Sequence, residues 1–263
     1  MDGGIEAGNL DMNNLVRREN NAGAATLWLN RPEKLNALTK DVFEELNVHV
    51  EAIARETKTI GLVILRGAGD NFSAGYDMTE VLDHVKAHAK PHFHSEVIQK
   101  IANLPQPVIS AVQGYCSTGA LELALAADLI VASESARFSD VYARWGLTPV
   151  WGLSLRLPHR IGNAKAAEMM FSCRTYTGTQ AEAMHLANFC FPDDRFDAEL
   201  AALAADILAN SWYANQVNKR ALIEIDGLGL HDSHRLELFK NEGLAPDAKQ
   251  RIAKFFAKRQ PPA

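Results

Sequence analysis

Three stretches of the sequence combine residue types and spacings that can do chemistry. The first is Asn71-Phe72-Ser73-Ala74-Gly75-Tyr76-Asp77, a glycine-containing turn that follows an apolar run. The second is Gln113-Gly114-Tyr115-Cys116-Ser117-Thr118-Gly119-Ala120-Leu121-Glu122-Leu123, where a strand passes through small residues into a helix. The third is Phe138-Ser139-Asp140-Val141-Tyr142-Ala143-Arg144-Trp145-Gly146-Leu147. In the second, the first N–H groups of the helix lack intrahelical partners and carry partial positive charge. Thr118, Gly119 and Ala120 are small enough to let a ligand approach them. An oxygen acquiring negative charge would be stabilised there. Glu122, one turn in, suits a base or a group that orients water. A glutamate there also suits a role confined to complementing the helix dipole, and small residues also suit tight packing.

The elements that must position these stretches follow from hydrophobic periodicity. The runs 24–29, 60–65, 107–112 and 129–132 have the length and composition of strands. The second is continuously apolar, as expected of a strand covered on both faces. After Thr39, residues Val42, Phe43, Leu46, Val50 and Ile53 recur at helical spacing. Residues 79–103 read as an uneven helical stretch broken by Pro91, and 119–127 as a helix. This alternation predicts an α/β core. Thr179-Gln180-Ala181-Glu182 matches a capping box for a helix reaching Ala187. Further helices are predicted over 196–210, 213–225, 233–242 and 247–258. The domain reading is a flexible N-terminal arm over 1–14, a core over 15–190, and a helical oligomerisation region over 191–263.

Composition excludes several functions. Among 263 residues, 47% are apolar and 22% charged, which is globular usage. The 27 lysines and arginines against 32 aspartates and glutamates leave a net charge of −5, so nucleic-acid binding is not expected. Cys116, Cys173 and Cys190 are odd in number and far apart, which argues against a disulfide framework and fits a reducing compartment. No secretory or transit signal and no membrane-length apolar run is read, so a cytoplasmic protein is expected. His84, His88, His92 and His94 cluster, but Pro91 breaks their register and no acidic or cysteine ligand joins them; no metal is expected. Gly67-Ala68-Gly69 lacks the third glycine of a dinucleotide fingerprint, and Ser73 lacks the leading glycine of a nucleophile elbow. Trp145 and Trp151 suit either packing or the wall of a bulky pocket.

Taken together, the stretches resemble the enoyl-CoA hydratase/isomerase (crotonase) family. Leu29-Asn30-Arg31-Pro32-Glu33-Lys34-Leu35-Asn36-Ala37-Leu38 is similar to its N-terminal signature. Phe72 to Met78 resembles its first oxyanion loop, and Pro107 to Asp128 its central signature. Gly178 to Ala183 resembles a later turn, and Phe255-Phe256-Ala257-Lys258-Arg259 the C-terminal ending. The resemblance spans residues 15–260 in the expected order. It implies a ββα spiral core followed by a C-terminal helical trimerisation region, in a homotrimer or a dimer of trimers. The implied substrate is an acyl-CoA thioester, whose carbonyl accepts from the N–H groups of Tyr76 and Gly119. No metal or redox cofactor is implied, coenzyme A being part of the substrate.

One departure bears on the reaction. Hydratases of the family flank a water with two glutamates. Glu122 matches the first, but the second position holds Tyr142, a poor base at an ordinary pKa of about 10. Asp140, two residues earlier, is a candidate replacement. Hydration of a 2-enoyl-CoA is the leading expectation. Isomerisation, decarboxylation, retro-aldol cleavage and binding without chemistry are the alternatives. The aligned Val150 disfavours a dehalogenase nucleophile. For CoA itself, Arg31 and Lys34 offer cations, and the C-terminal basic run adds more. By the resemblance, Ala37, Ala74, Phe255 and Lys258 contact CoA, the last two from a neighbouring subunit. Thr79 stands where the family often has a lysine.

Overall fold

The computed structural model describes residues 14–81, 92–240 and 243–257. The N-terminal arm, His84, His88, Pro91 and Lys258 lie outside them, Asn14 of the arm excepted. A six-stranded sheet is built from β1 (Val16–Asn21), β2 (Ala24–Leu29), β3 (Leu62–Gly67), β4 (Val108–Val112), β6 (Leu129–Ser133) and β9 (Phe189–Phe191). They lie in the order β1-β2-β3-β4-β6-β9. β1 runs antiparallel to β2, and every other pairing is parallel. A second sheet joins β5 (Tyr115–Ser117), β7 (Arg137–Ser139) and β8 (Thr175–Thr177) in the order β5-β7-β8.

The alternation of side chains explains why β3 reads as continuously apolar. Val63 and Leu65 point into the larger core cluster, with Phe43, Leu46 and Ile98. Leu62 and Ile64 point to the other face, where Phe196 and Leu200 cover them. The larger cluster is closed by α1 (Lys40–Arg55) and α2 (Phe93–Ala102). α1 buries Val42, Phe43, Leu46, Val50 and Ile53, the face its spacing predicts. Its N-cap Thr39 accepts from the Val42 N–H at 3.3 Å.

The site-bearing helix α3 (Gly119–Ala124) follows β5 directly and is fully buried. It stops three residues short of the predicted end. α4 (Leu153–Ile161) and α5 (Asn163–Ser172), beyond the helices that periodicity predicts, pack on each other. The capping box is real but shifted: Thr177 accepts from the Gln180 N–H at 3.2 Å, and Gln180 accepts from the Thr177 N–H at 2.9 Å. The capped helix α6 is Gly178–Ala183, ending before Ala187. Glu182, the acid of the expected box, instead accepts from the Cys190 N–H at 2.9 Å and ties α6 to β9. Thr177→Ala is expected to cost about 0.5–2 kcal/mol, read as a lower midpoint in chemical denaturation.

Among the described residues, four further helices follow: α7 (Phe196–Ala209), α8 (Trp212–Ile225), α9 (Leu230–Lys240) and α10 (Ala248–Ala257). α8 is anchored by Lys219, which is buried and donates to Asp128 at 2.8 Å and to the Gln106 carbonyl at 3.0 Å. No residue of α9 or α10 is buried, and the two expose Leu230, Leu238, Phe239, Phe255 and Phe256.

Candidate active site

Two loops are zipped together to form the site. The Phe72 N–H donates to the Gln113 carbonyl at 2.7 Å and the Ser73 N–H to the Tyr115 carbonyl at 2.8 Å. The Ser117 N–H donates back to the Ser73 carbonyl. On the other side, Leu38 donates to the Gly75 carbonyl at 2.8 Å and Asp77 to the Leu38 carbonyl at 2.7 Å. Tyr76, between them, forms a parallel bridge with Leu38. Gly75 sits at φ +103°, where a Cβ would lie 2.4 Å from Thr118 Oγ1, 2.6 Å from the Ser117 carbonyl and 3.6 Å from the Gly119 nitrogen. The turn that carries Tyr76 is therefore pressed against the entry of α3, as only glycine allows.

Thr118 is itself unusual, with φ 50° and ψ −112°. Its N–H is committed to the Ser139 carbonyl at 2.9 Å. The Gly119 N–H is thus the first of the helix proper. A Cβ on Gly119 would fall 2.5 Å from the Trp151 ring, so the indole lies flush against this position. Trp151 is otherwise packed edge-on against Phe43 and Tyr76, with His94 alongside. The Tyr76 hydroxyl donates to Glu80 at 2.9 Å; burial first, then the Glu80 carboxylate, pushes its phenol pKa upward.

Beside the two loops opens a cavity of about 710 Å³. Ala74, Tyr76 and Thr118 line it from the loops, and Tyr142, Trp145 and Trp151 from the facing segment. Met78, His92, Val141 and Val150 make the rest mostly apolar. Both tryptophans are therefore wall residues, Trp145 exposed and Trp151 buried. His92 belongs to the wall as well, while His94 is buried among aromatic rings.

Glu122 is fully buried and does not line this cavity. Its Oε1 accepts from the Trp151 N–H at 2.8 Å and the Leu153 N–H at 3.0 Å. Its Oε2 accepts from the Tyr142 hydroxyl at 2.6 Å. Burial raises the carboxyl above the ordinary glutamate range, against the pull of these three donors. Tyr142 thus does more than vacate a glutamate position: it is the side-chain partner of Glu122. Its phenol is pushed far up, by burial first and then by the Glu122 charge. Asp140 is buried, also outside the cavity lining, and accepts from the Tyr142 N–H at 3.0 Å. It fixes the start of the short turn Tyr142–Trp145 and has its own pKa raised by burial. The partners that sequence reasoning missed are the main-chain N–H groups of Trp151 and Leu153. Their one trace in the sequence is Gly152, whose φ of +108° lets both neighbours donate to one oxygen.

The residues expected to hold CoA occupy several settings. Arg31 braces the loop, donating to the Ala37 carbonyl at 2.7 Å and to Asp77 at 3.3 Å. The Asp77 carboxyl is partly buried, which pushes it up, but the Thr79 N–H and hydroxyl and the Arg31 guanidinium outweigh this and hold it below the usual range. Thr79, the lysine substitute, is thereby part of the Asp77 turn. Lys34 is exposed on the Pro32–Lys34 turn, and Phe255 is exposed on α10. Among the described residues, no group of three His, Cys, Asp or Glu is placed to hold a metal.

Comparison with known proteins shows the family and the fold. The profile of the family described as Enoyl-CoA hydratase/isomerase matches residues 19–262. A Rhizobium meliloti protein named as a probable enoyl-CoA hydratase is 32% identical over 250 residues, covering 94% of this chain and 95% of its own. Arabidopsis thaliana probable enoyl-CoA hydratase 1, peroxisomal, is 30% identical over 253 residues, covering 94% of both. The crystal structure of an enoyl-CoA hydratase from Bacillus anthracis superposes with a TM-score of 0.87 at 28% identity, over 94% of this chain and 98% of that one.

Proposed function

The chain belongs to the enoyl-CoA hydratase/isomerase family, and on that premise we propose that it adds water to a 2-enoyl-CoA through a thioester enolate. The observation that carries this reading is the approach of the Gly75–Tyr76 turn to the entry of α3, beside a largely apolar cavity. A thioester oxygen between them accepts from the Tyr76 and Gly119 N–H groups. Negative charge moving onto that oxygen is stabilised by amides already in position. The Glu122–Tyr142 pair takes a proton from the water that adds to Cβ and returns one to Cα, so that the elements of water add across the double bond. The chemistry calls for no metal or redox cofactor, since the charge is held by main-chain donors.

A second reading is favoured by the enclosure of Glu122, which leaves one acid–base unit instead of two carboxylates around a water. In it the same enolate arises by decarboxylation or retro-aldol cleavage of an acyl-CoA and is then protonated. Assembly as a homotrimer or dimer of trimers fits the apolar side chains exposed on α9 and α10, and brings Phe255 and Lys258 to a neighbour's CoA. A cytoplasmic location belongs to the same proposal; no described helix is long and apolar enough to cross a membrane.

The test is a panel of straight-chain, branched and aromatic 2-enoyl-CoA substrates, followed by loss of conjugated-thioester absorbance, with a malonyl-type thioester in parallel. Saturable hydration of at least one enoyl substrate is expected. Turnover of the malonyl-type substrate alone would select the second reading. Absence of both binding and turnover across the panel would refute the acyl-CoA assignment.

A further inference from the structure

Given the acyl-CoA reading above, we propose that Glu122 never meets the substrate and that the Tyr142 hydroxyl carries the proton between Glu122 and the α-carbon. Of the two residues, Tyr142 alone lines the cavity. Glu122 is 0% exposed, and its Oε1 is held by two main-chain donors, Trp151 and Leu153. Main-chain donors cannot swing away as side chains do. The segment that bears them is braced in turn: Arg156 donates to the Trp151 carbonyl at 2.9 Å, and a Cβ on Gly152 would lie 2.3 Å from its guanidinium. Glu122 is therefore not free to rotate into the cavity, and its remaining oxygen faces Tyr142 at 2.6 Å.

Tyr142 is equally fixed. Its N–H donates to Asp140, and its carbonyl accepts from the Leu147 N–H at 3.0 Å. A tyrosine held this way need not ionise to move a proton. As the α-C–H bond breaks, its electron pair forms the carbon–carbon double bond of the enolate and the carbonyl π pair moves onto the thioester oxygen. The proton goes to the Tyr142 oxygen, and the hydroxyl's own proton goes to Glu122 Oε2. The products are the enolate, neutral tyrosine and neutral Glu122. The reverse sequence protonates an enolate at Cα. Burial and the Glu122 charge both oppose a free phenolate, consistent with a hydroxyl that passes a proton on without giving one up. Tyr142 is thus the catalytic group at the substrate, and Glu122 acts through it.

The direct probe is exchange of the α-protons of butyryl-CoA in deuterated water, followed by NMR. This isolates proton transfer from whatever else the enzyme does. Wild type is expected to exchange them. Tyr142→Phe, which keeps the ring and removes the hydroxyl, is expected to lose about 100-fold or more while still binding the thioester. Glu122→Gln should lose a comparable factor, and the double variant little beyond either single one, as for groups acting as a unit. In wild type, loss of the α-proton should be slowed by deuterium at Cα and, separately, by deuterated solvent, because the C–H and O–H protons move in one step. Wild-type exchange rates in Tyr142→Phe, or no solvent isotope effect on α-proton loss in wild type, would overturn the relay and leave the acyl-CoA reading standing. Binding of butyryl-CoA without exchange in wild type would overturn the relay alone, whereas failure to bind any thioester of the panel would remove the acyl-CoA reading and the relay with it.

Discussion

Gly75→Ala is expected to reduce turnover of an acyl-CoA thioester by about 100-fold or more, the cost of losing one oxyanion donor. The added methyl group is small, but it has nowhere to go. It would fall 2.4 Å from Thr118 Oγ1 and 2.6 Å from the Ser117 carbonyl. The Thr118 hydroxyl can turn aside. The Ser117 carbonyl belongs to β5, which pairs with β7, and the Ser117 N–H is tied to the Ser73 carbonyl. The turn must therefore retreat from the helix entry, and the Tyr76 N–H moves away from the Gly119 N–H. The positive φ adds about 1–3 kcal/mol of backbone strain, visible as a lower denaturation midpoint. Measuring kcat beside the midpoint separates the two effects, because turnover should fall even at temperatures where the variant is fully folded. A folded Gly75→Ala protein with wild-type kcat would show that the two loops need not meet.

Glu122 offers a sharper contrast between two substitutions. Glu122→Ala strands the Trp151 N–H, the Leu153 N–H and the Tyr142 hydroxyl, each a buried donor worth about 1–3 kcal/mol when left unpaired. That variant is expected to unfold far more easily or not to accumulate. Glu122→Gln keeps an oxygen for the two main-chain donors and turns an amide N–H toward the Tyr142 oxygen. Its fold should survive, while its rate falls by about 10²–10⁴-fold because the amide cannot take up a proton.

Stability should also change with pH in a defined direction. The folded protein binds the Glu122 proton more tightly than the unfolded chain does. Stability therefore falls as pH rises from the ordinary glutamate range through the raised folded value. Asp140 contributes with the same sign. Denaturation midpoints of Glu122→Gln against pH should show a shallower decline over that window. An unchanged slope would mean that Glu122 titrates as an ordinary carboxylate.

Much of the positioning framework is legible in the sequence because it depends on side chains. The apolar runs of β2, β3, β4 and β6 and the buried face of α1 follow from periodicity. The glycine and small residues around Gly75 and Gly119 mark where backbones must approach. β1 escapes the same reasoning because Val-Arg-Arg-Glu-Asn-Asn is an edge strand whose last residues face water, so no alternation is imposed on it. β5, β7 and β8 are three residues each, too short for a period to register. The capping box lies two residues before the position the sequence predicts, because Thr179 and Glu182 satisfy the same pattern as Thr177 and Gln180 and only the hydrogen bonds separate them.

The chemical site divides in a similar way. Tyr142 in place of a glutamate is visible as a departure. Its bond to Glu122 spans 20 residues and depends on how the short turn Tyr142–Trp145 sits against α3. The enclosure of Glu122 rests on main-chain donors, which have no residue type to betray them beyond Gly152. The wall made by His92, Trp145 and Trp151 brings together residues from separate elements, which spacing alone does not bring into one cavity.

The most direct measurement is the vibrational frequency of the thioester carbonyl in a bound acyl-CoA, isotopically labelled at that carbon. If the Tyr76 and Gly119 N–H groups both reach the oxygen, the stretch should move to lower frequency on binding, and the shift should shrink or vanish in Gly75→Ala. A carbonyl that binds with the frequency it has in water, in wild type at saturating ligand, would contradict an oxyanion site between these two loops.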